Sequence, residues 1–101
     1  MLAELQKTTP EEAKEERLAL GLWLRSLRED QGLSQRELAD ILSLEYYTFI
    51  SQIENGRGKI PTHRYIEWAQ ALNQNPKSFV QTLLKHYEPI TYKVLFEDEV
   101  C

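Results

Sequence analysis

Cysteine is nearly absent from this chain: of its 101 residues only the last, Cys101, is one. A single thiol has no partner within the chain, which excludes an internal disulfide scaffold and a cysteine-based metal site. Four glycines and four prolines are too few for a flexible or low-complexity tract, and no internal repeat is found. No apolar run reaches the length of a membrane span and no secretory signal pattern is seen, so a cytoplasmic protein is expected. Histidine is scarce as well. His63 and His86 fall in different segments with no paired carboxylates nearby, so no metal or other cofactor is expected. There is no Ser/His/Asp arrangement, no pair of catalytic carboxylates and no phosphate-cradling loop, so an enzyme is not expected. Gly56-Arg57-Gly58 is too short for such a loop and follows a helix rather than a strand.

A basic excess is missing too. The net charge is −4, from 12 Lys/Arg and 16 Asp/Glu. It is unevenly spread. Residues 1–32 hold five basic and seven acidic side chains, residues 33–64 four of each, and residues 65–101 three and five. The middle is neutral between acidic flanks. The chain has room for one small domain, and its 42% hydrophobic content suits a soluble globule.

That neutral middle organises the rest. Residues 33–56, LSQRELADILSLEYYTFISQIENG, read as two short helices joined by a turn. Ser34 and Glu37 form an S-x-x-E capping box, and Leu38, Ala39, Ile41 and Leu42 give the first helix its buried stripe. Tyr46, Phe49, Ile50 and Ile53 form the apolar set of the second, which Gly56 closes. Tyr47, Thr48, Ser51, Gln52 and Asn55 fall on its other face. They donate, accept or stack without carrying charge, which suits the donors, acceptors and thymine methyls of the DNA major groove.

The run LSQRELADIL, a turn, and a helix ending in ISQIENG resembles the lambda-repressor-like (Cro or XRE type) helix-turn-helix proteins. The likeness covers roughly residues 20–84, with matches at fixed spacing. It implies an all-α, five-helix DNA-binding domain. It also implies that Gln35 contacts a phosphate, that Ala39 lets two helices cross closely, and that Ile50 and Ile53 anchor the recognition helix. Two departures stand out. Ser43 takes the place of the usual turn glycine, so its backbone need not be left-handed. One extra residue lies between Ser43 and Phe49, which leaves Glu45, Tyr46 or Tyr47 as the opening of the recognition helix.

The flanks follow the same grammar. Residues 1–8 read as a flexible lead-in and residues 9–88 as the helix-turn-helix domain. Thr9, Pro10 and Glu12 start a long first helix that runs to about Gln31 and stops at Gly32, with Leu20, Leu24 and Leu27 inward. Leu22 and Trp23 exceed that stripe, and either cover the C-terminal segment or make a dimer contact. Arg25 and Arg28 reach phosphates or lie on a solvated face. Thr62 caps a fourth helix ending near Asn73, with Ile66, Ala69 and Leu72 inward and Trp68 partly covered. Asn75 and Pro76 start a fifth, with Phe79, Val80, Leu83, Leu84 and Tyr87 on its core face, ending at Glu88-Pro89. Ile90, Tyr92, Val94 and Phe96 alternate, so residues 89–101 are expected to be a short extended or β-strand arm. The arm either pairs with a second subunit or lies across its own helices, and its acidic end is expected to be solvated.

The expected function is that of a transcriptional regulator, a repressor, which binds double-stranded DNA at a palindromic site as a homodimer. The expected contacts are Gln35, Arg36, Tyr46, Tyr47, Thr48, Ser51, Gln52, Asn55, Arg57 and Lys59. Arg57 and Lys59, in the turn after the second helix, are the clearest phosphate candidates. A competing reading is an antitoxin or protein-interaction module of the same fold, whose main partner is another protein such as a toxin.

Overall fold

In the computed structural model the described residues are 9–97. The expected lead-in over residues 1–8, the end of the acidic tail and Cys101 lie outside them. Six α-helices and one 3-10 turn make up the described residues: α1 Pro10–Asp30, α2 Gln35–Ile41, α3 Thr48–Glu54, the 3-10 turn Thr62–Arg64, α4 Tyr65–Ala71, α5 Pro76–Tyr87 and α6 Pro89–Phe96. None of them is long and apolar enough to cross a membrane.

Local chemistry accounts for the helix starts. The Thr9 hydroxyl accepts from the Glu12 N–H at 3.1 Å, with Pro10 at the first helical position of α1. The capping box of α2 is complete: Glu37 N–H donates to Ser34 Oγ at 3.0 Å and Ser34 N–H to Glu37 Oε1 at 2.8 Å. Those bonds to Ser34 hold the Glu37 carboxyl below its usual pKa. Asn75 Oδ1 caps α5 by accepting from the Ser78 N–H at 3.1 Å.

Four of the described helices, α1 to α4, end on one device. Gly32, Ser43, Gly56 and Asn73 all have positive φ, between 56° and 75°. Each lets the next residue fold back onto a carbonyl of the last turn: Leu33 N–H to Arg28 O, Leu44 N–H to Ala39 O, Arg57 N–H to Gln52 O and Gln74 N–H to Ala69 O. Ser43 is therefore left-handed after all. The short α2–α3 connection demands the reversal, and serine takes up the strain that glycine would avoid.

α1 packs on α3 and α5, α4 on α5, and α2 on α3. Leu20, Leu24, Leu38, Leu42, Ile50, Ile60, Trp68, Leu72, Phe79 and Leu83 close the core, and Trp23 stacks on Phe79 at 5.6 Å between centroids. Trp23 thus packs on α5, within the domain rather than on the C-terminal segment, while Leu22 stays exposed. α1 meets the end of α3 at Gly21, where a Cβ would fall 2.7 Å from the Glu54 carbonyl carbon and 2.8 Å from the Ile53 carbonyl oxygen. Backbone occupies the space, so no side chain fits.

Besides Ile41, which is exposed rather than part of the buried stripe of α2, two expectations need correction. Ile66 is exposed, whereas Tyr65 and Trp68 are buried. The 3-10 turn over Thr62–Arg64 turns faster per residue than an α-helix and shifts the phase of α4, and Thr62 makes no capping bond. The second correction is the C-terminal arm. Residues 89–96 form a helix, not an extended strand. Pro89 supplies the first helical position, and the backbone is satisfied internally, for example Tyr92 N–H to Glu88 O at 2.9 Å. A solitary strand has no such partner. The alternating aromatics meet one turn apart instead, Tyr92 and Phe96 at 5.2 Å.

Replacing Gly21 by alanine is expected to cost about 3 kcal/mol, because helix α1 must move off α3, measured by urea unfolding. The Tyr87 hydroxyl accepts from the Ile60 N–H at 3.2 Å, and burial raises its pKa to about 12. A folded-state pKa above the unfolded one contributes stability that is complete below about pH 10 and is lost as pH rises through 12. Tyr87→Phe is expected to be less stable at pH 7 by about 1–3 kcal/mol. Its loss of stability between those alkaline pH values is expected to be shallower than that of the unaltered chain.

Candidate nucleic-acid interface

α2 and α3 are each seven residues long, too short to persist alone. Their mutual position is set by buried groups behind them. Arg28, in the last turn of α1, makes a bidentate ion pair with Glu54 at the end of α3, Nε to Oε2 at 2.7 Å and Nη2 to Oε1 at 3.0 Å. Its Nη1 donates to the Leu33 carbonyl at 2.8 Å, and Gln35 Nε2 donates to Glu54 Oε1 at 3.1 Å. Both charged side chains are almost wholly buried, 9% and 3% exposed, yet every polar partner is satisfied. The hydrogen bonds to Glu54 raise the Arg28 pKa further against the opposing effect of burial. Arg64 adds a second tie: its guanidinium donates to the Leu42 carbonyl at the end of α2 and to Glu67 at 2.9 Å.

Held this way, α3 turns Ile50 and Ile53 inward. Thr48, Gln52 and Asn55 face water, Ser51 is half-buried, and Asn55 Nδ2 donates to Ser51 Oγ at 3.4 Å. The first helical residue is Thr48, and the cap that opens the helix is Tyr47, one of the three candidates. Tyr47 stands at its N-cap without a side-chain capping bond. Apart from the buried Glu54, α3 carries no ionisable side chain.

The other expected contacts scatter around this helix. Arg36 lies over the Tyr47 ring, 4.7 Å from its centroid. Arg57 is exposed in the turn after α3. Lys59 leans the other way, 3.3 Å from Glu88 and 5.1 Å from the Tyr87 ring centroid. Its pair is exposed and weak, so it leaves the ammonium accessible to solvent. Gln35 has its amide engaged by Glu54. Tyr46 and Phe49, both placed in the apolar set of this helix and Tyr46 also among the expected contacts, are 57% and 46% exposed. The core beneath α3 is already filled by Ile50, Ile53 and Trp68, leaving the aromatic pair outside.

Arg28 was a candidate for a phosphate and is instead buried; Arg25 lies in an exposed pair with Glu29. The buried pair did leave a trace in the sequence. Arg28 continues the Leu20-Leu24 stripe at helical spacing, and Glu54 sits beside Ile50 and Ile53 on the inward face. Two opposite charges on two core stripes require each other. His86 meets Glu16 at 3.3 Å, and no metal-binding group of His, Cys, Asp and Glu occurs among the described residues.

A short helix fixed at its base, with a neutral hydrogen-bonding face outward, is the reading element of a helix-turn-helix. A family model described as a helix-turn-helix domain matches residues 21–88, more than half of the chain. The chain belongs to that family, of the Cro or XRE type, a DNA-binding family rather than an enzyme family. Comparison with curated proteins gives no match.

Glu54→Gln is expected to destabilise the fold by about 3–5 kcal/mol, because Arg28 is left as an unpaired buried charge. Replacing both Arg28 and Glu54 by methionine is expected to cost much less. Thermal or urea unfolding of the two variants checks the difference.

Proposed function

We propose that this chain is a sequence-specific transcriptional regulator, a repressor, that binds a palindromic operator in double-stranded DNA as a homodimer. The observation that carries the proposal is the outward face of α3, where Thr48, Ser51, Gln52 and Asn55 offer neutral donors and acceptors. Ile50, Ile53 and the Arg28–Glu54 pair hold that face rigidly from beneath. A two-fold axis sets two copies of α3 in successive major grooves, about 34–36 Å apart.

In this reading Tyr47, Thr48, Ser51 and Gln52 meet base edges, with Tyr46 at the DNA beside them. Gln35, Arg36, Asn55, Arg57 and Lys59 meet the phosphate backbone and position the protein. With few free cations, non-specific affinity is modest and the dimer supplies the rest. Residues 9–88 form the DNA-binding domain and residues 89–101 the dimerisation extension, in a cytoplasmic protein. A second reading, a protein-binding module whose partner is a toxin, draws on the exposed Val94, Leu95 and Phe96 of α6.

Selection of bound sequences from random DNA by the purified chain at fixed salt is expected to return a palindrome. Enrichment of no sequence contradicts the proposal. Titrations on the selected site separate the roles. Gln52→Ala is expected to lose about 1–3 kcal/mol and to relax preference at one base position. Arg57→Ala is expected to weaken all sequences alike and to reduce the slope of log affinity against log salt by about 1.

A further inference from the structure

Tyr46 and Phe49 are among the apolar side chains that the core leaves exposed. Their rings lie 6.4 Å apart, tilted by 50°, at the N-terminal end of α3. That is the end of a recognition helix that meets base edges. Single exposed apolar residues are ordinary on any protein surface. What distinguishes this pair is its neighbourhood. Phe49 stands one turn from Gln52, and the two side chains line the same cleft, of about 340 Å³. No free charge on α3 competes with them, since its one ionisable group, Glu54, is paired with Arg28.

We infer that Phe49 is a specificity-determining residue: it reads the 5-methyl group of a thymine within one base step of an adenine held by Gln52. The inference rests on the DNA-reading role proposed above and names what that face prefers. Glutamine pairs in bidentate fashion with the N6 and N7 edge of adenine, and phenylalanine makes apolar contact with the thymine methyl. Both groups lie in the major groove, side by side. Tyr46 stands beside the Phe49 ring, and both rings are exposed, so the apolar surface is open to a partner. Water leaves the ring and the methyl together, and the gain is that of burying one methyl-sized group.

The test uses the full chain and the site it selects. Each thymine of that site is replaced in turn by uracil, which lacks the methyl and keeps every hydrogen-bonding group. At one thymine per half-site the unaltered chain is expected to bind about fourfold more weakly after replacement. Phe49→Ala is expected to bind the thymine and uracil sites equally, while Phe49→Leu keeps part of the discrimination. Circular dichroism checks that the variants fold; if Phe49→Ala does not, Phe49→Gln serves in its place.

Two results overturn the assignment while leaving the regulator intact: no thymine is sensitive to replacement, or the sensitivity is the same in unaltered and Phe49-substituted chains. A selection that enriches no sequence is different. It removes the DNA-reading role itself, and the methyl contact with it.

Discussion

The Arg28–Glu54 pair is the constraint on which the rest of this structure depends. It ties the last turn of α1 to the last turn of α3, and through Gln35 and the Leu33 carbonyl it also reaches the start of α2. Taking both charges out of water is costly, and an apolar contact of the same volume is often as stable. Apolar contact is non-directional, however, whereas a bidentate guanidinium–carboxylate pair sets distance and orientation at once. The pair therefore orients a helix that has few other means of orientation. α3 contributes only Ile50 and Ile53 to the apolar core; apart from the buried Glu54 and half-buried Ser51, its other side chains are exposed.

The same dependence on neighbours runs through the bundle. Among the described residues three of the six α-helices are seven residues long. Each relies on its ends and on adjacent elements rather than on internal hydrogen bonding. The close approach of α1 to α3 at Gly21 and of α1 to the turn at Gly56 places backbone directly against backbone. A Cβ at Gly56 would meet the Leu18 backbone nitrogen at 2.9 Å, so that glycine serves both the positive φ and the packing. With backbones in contact, the outward face of α3 inherits the rigidity of α1, the longest helix.

A DNA-binding family with an acidic chain raises an electrostatic question, and the structure locates its answer. Of the basic side chains near the helix-turn-helix, Arg28 and Arg64 hold the fold together. Arg36, Arg57 and Lys59 remain at the rim, Lys59 beside Glu88. The centre of the face is neutral and partly aromatic. In the proposed DNA-reading role, recognition there draws on hydrogen bonds and apolar contact, with charge confined to the periphery.

What was readable from sequence alone is what depends on near neighbours in the chain. The capping residues Thr9, Ser34 and Asn75 lie within a few residues of the groups they satisfy, and the stripes Leu20-Leu24, Leu38-Leu42 and Phe79-Leu83 repeat at helical period. The helix-turn-helix, the outward set on α3 and the inward Ile50 and Ile53 were legible for that reason. Tertiary structure alone decided the rest. Period cannot tell a buried aromatic from one left over when the core is full, which is why Phe49 and Tyr46 lie outside and Trp68 inside. Alternation over residues 90–96 cannot report that no strand partner exists among the described residues, and a helix then satisfies the backbone. The left-handed Ser43 arises where a forced reversal imposes a geometry that no local preference encodes. The Arg28–Glu54 pair, although both charges stand on core stripes, forms only when segments distant in sequence meet.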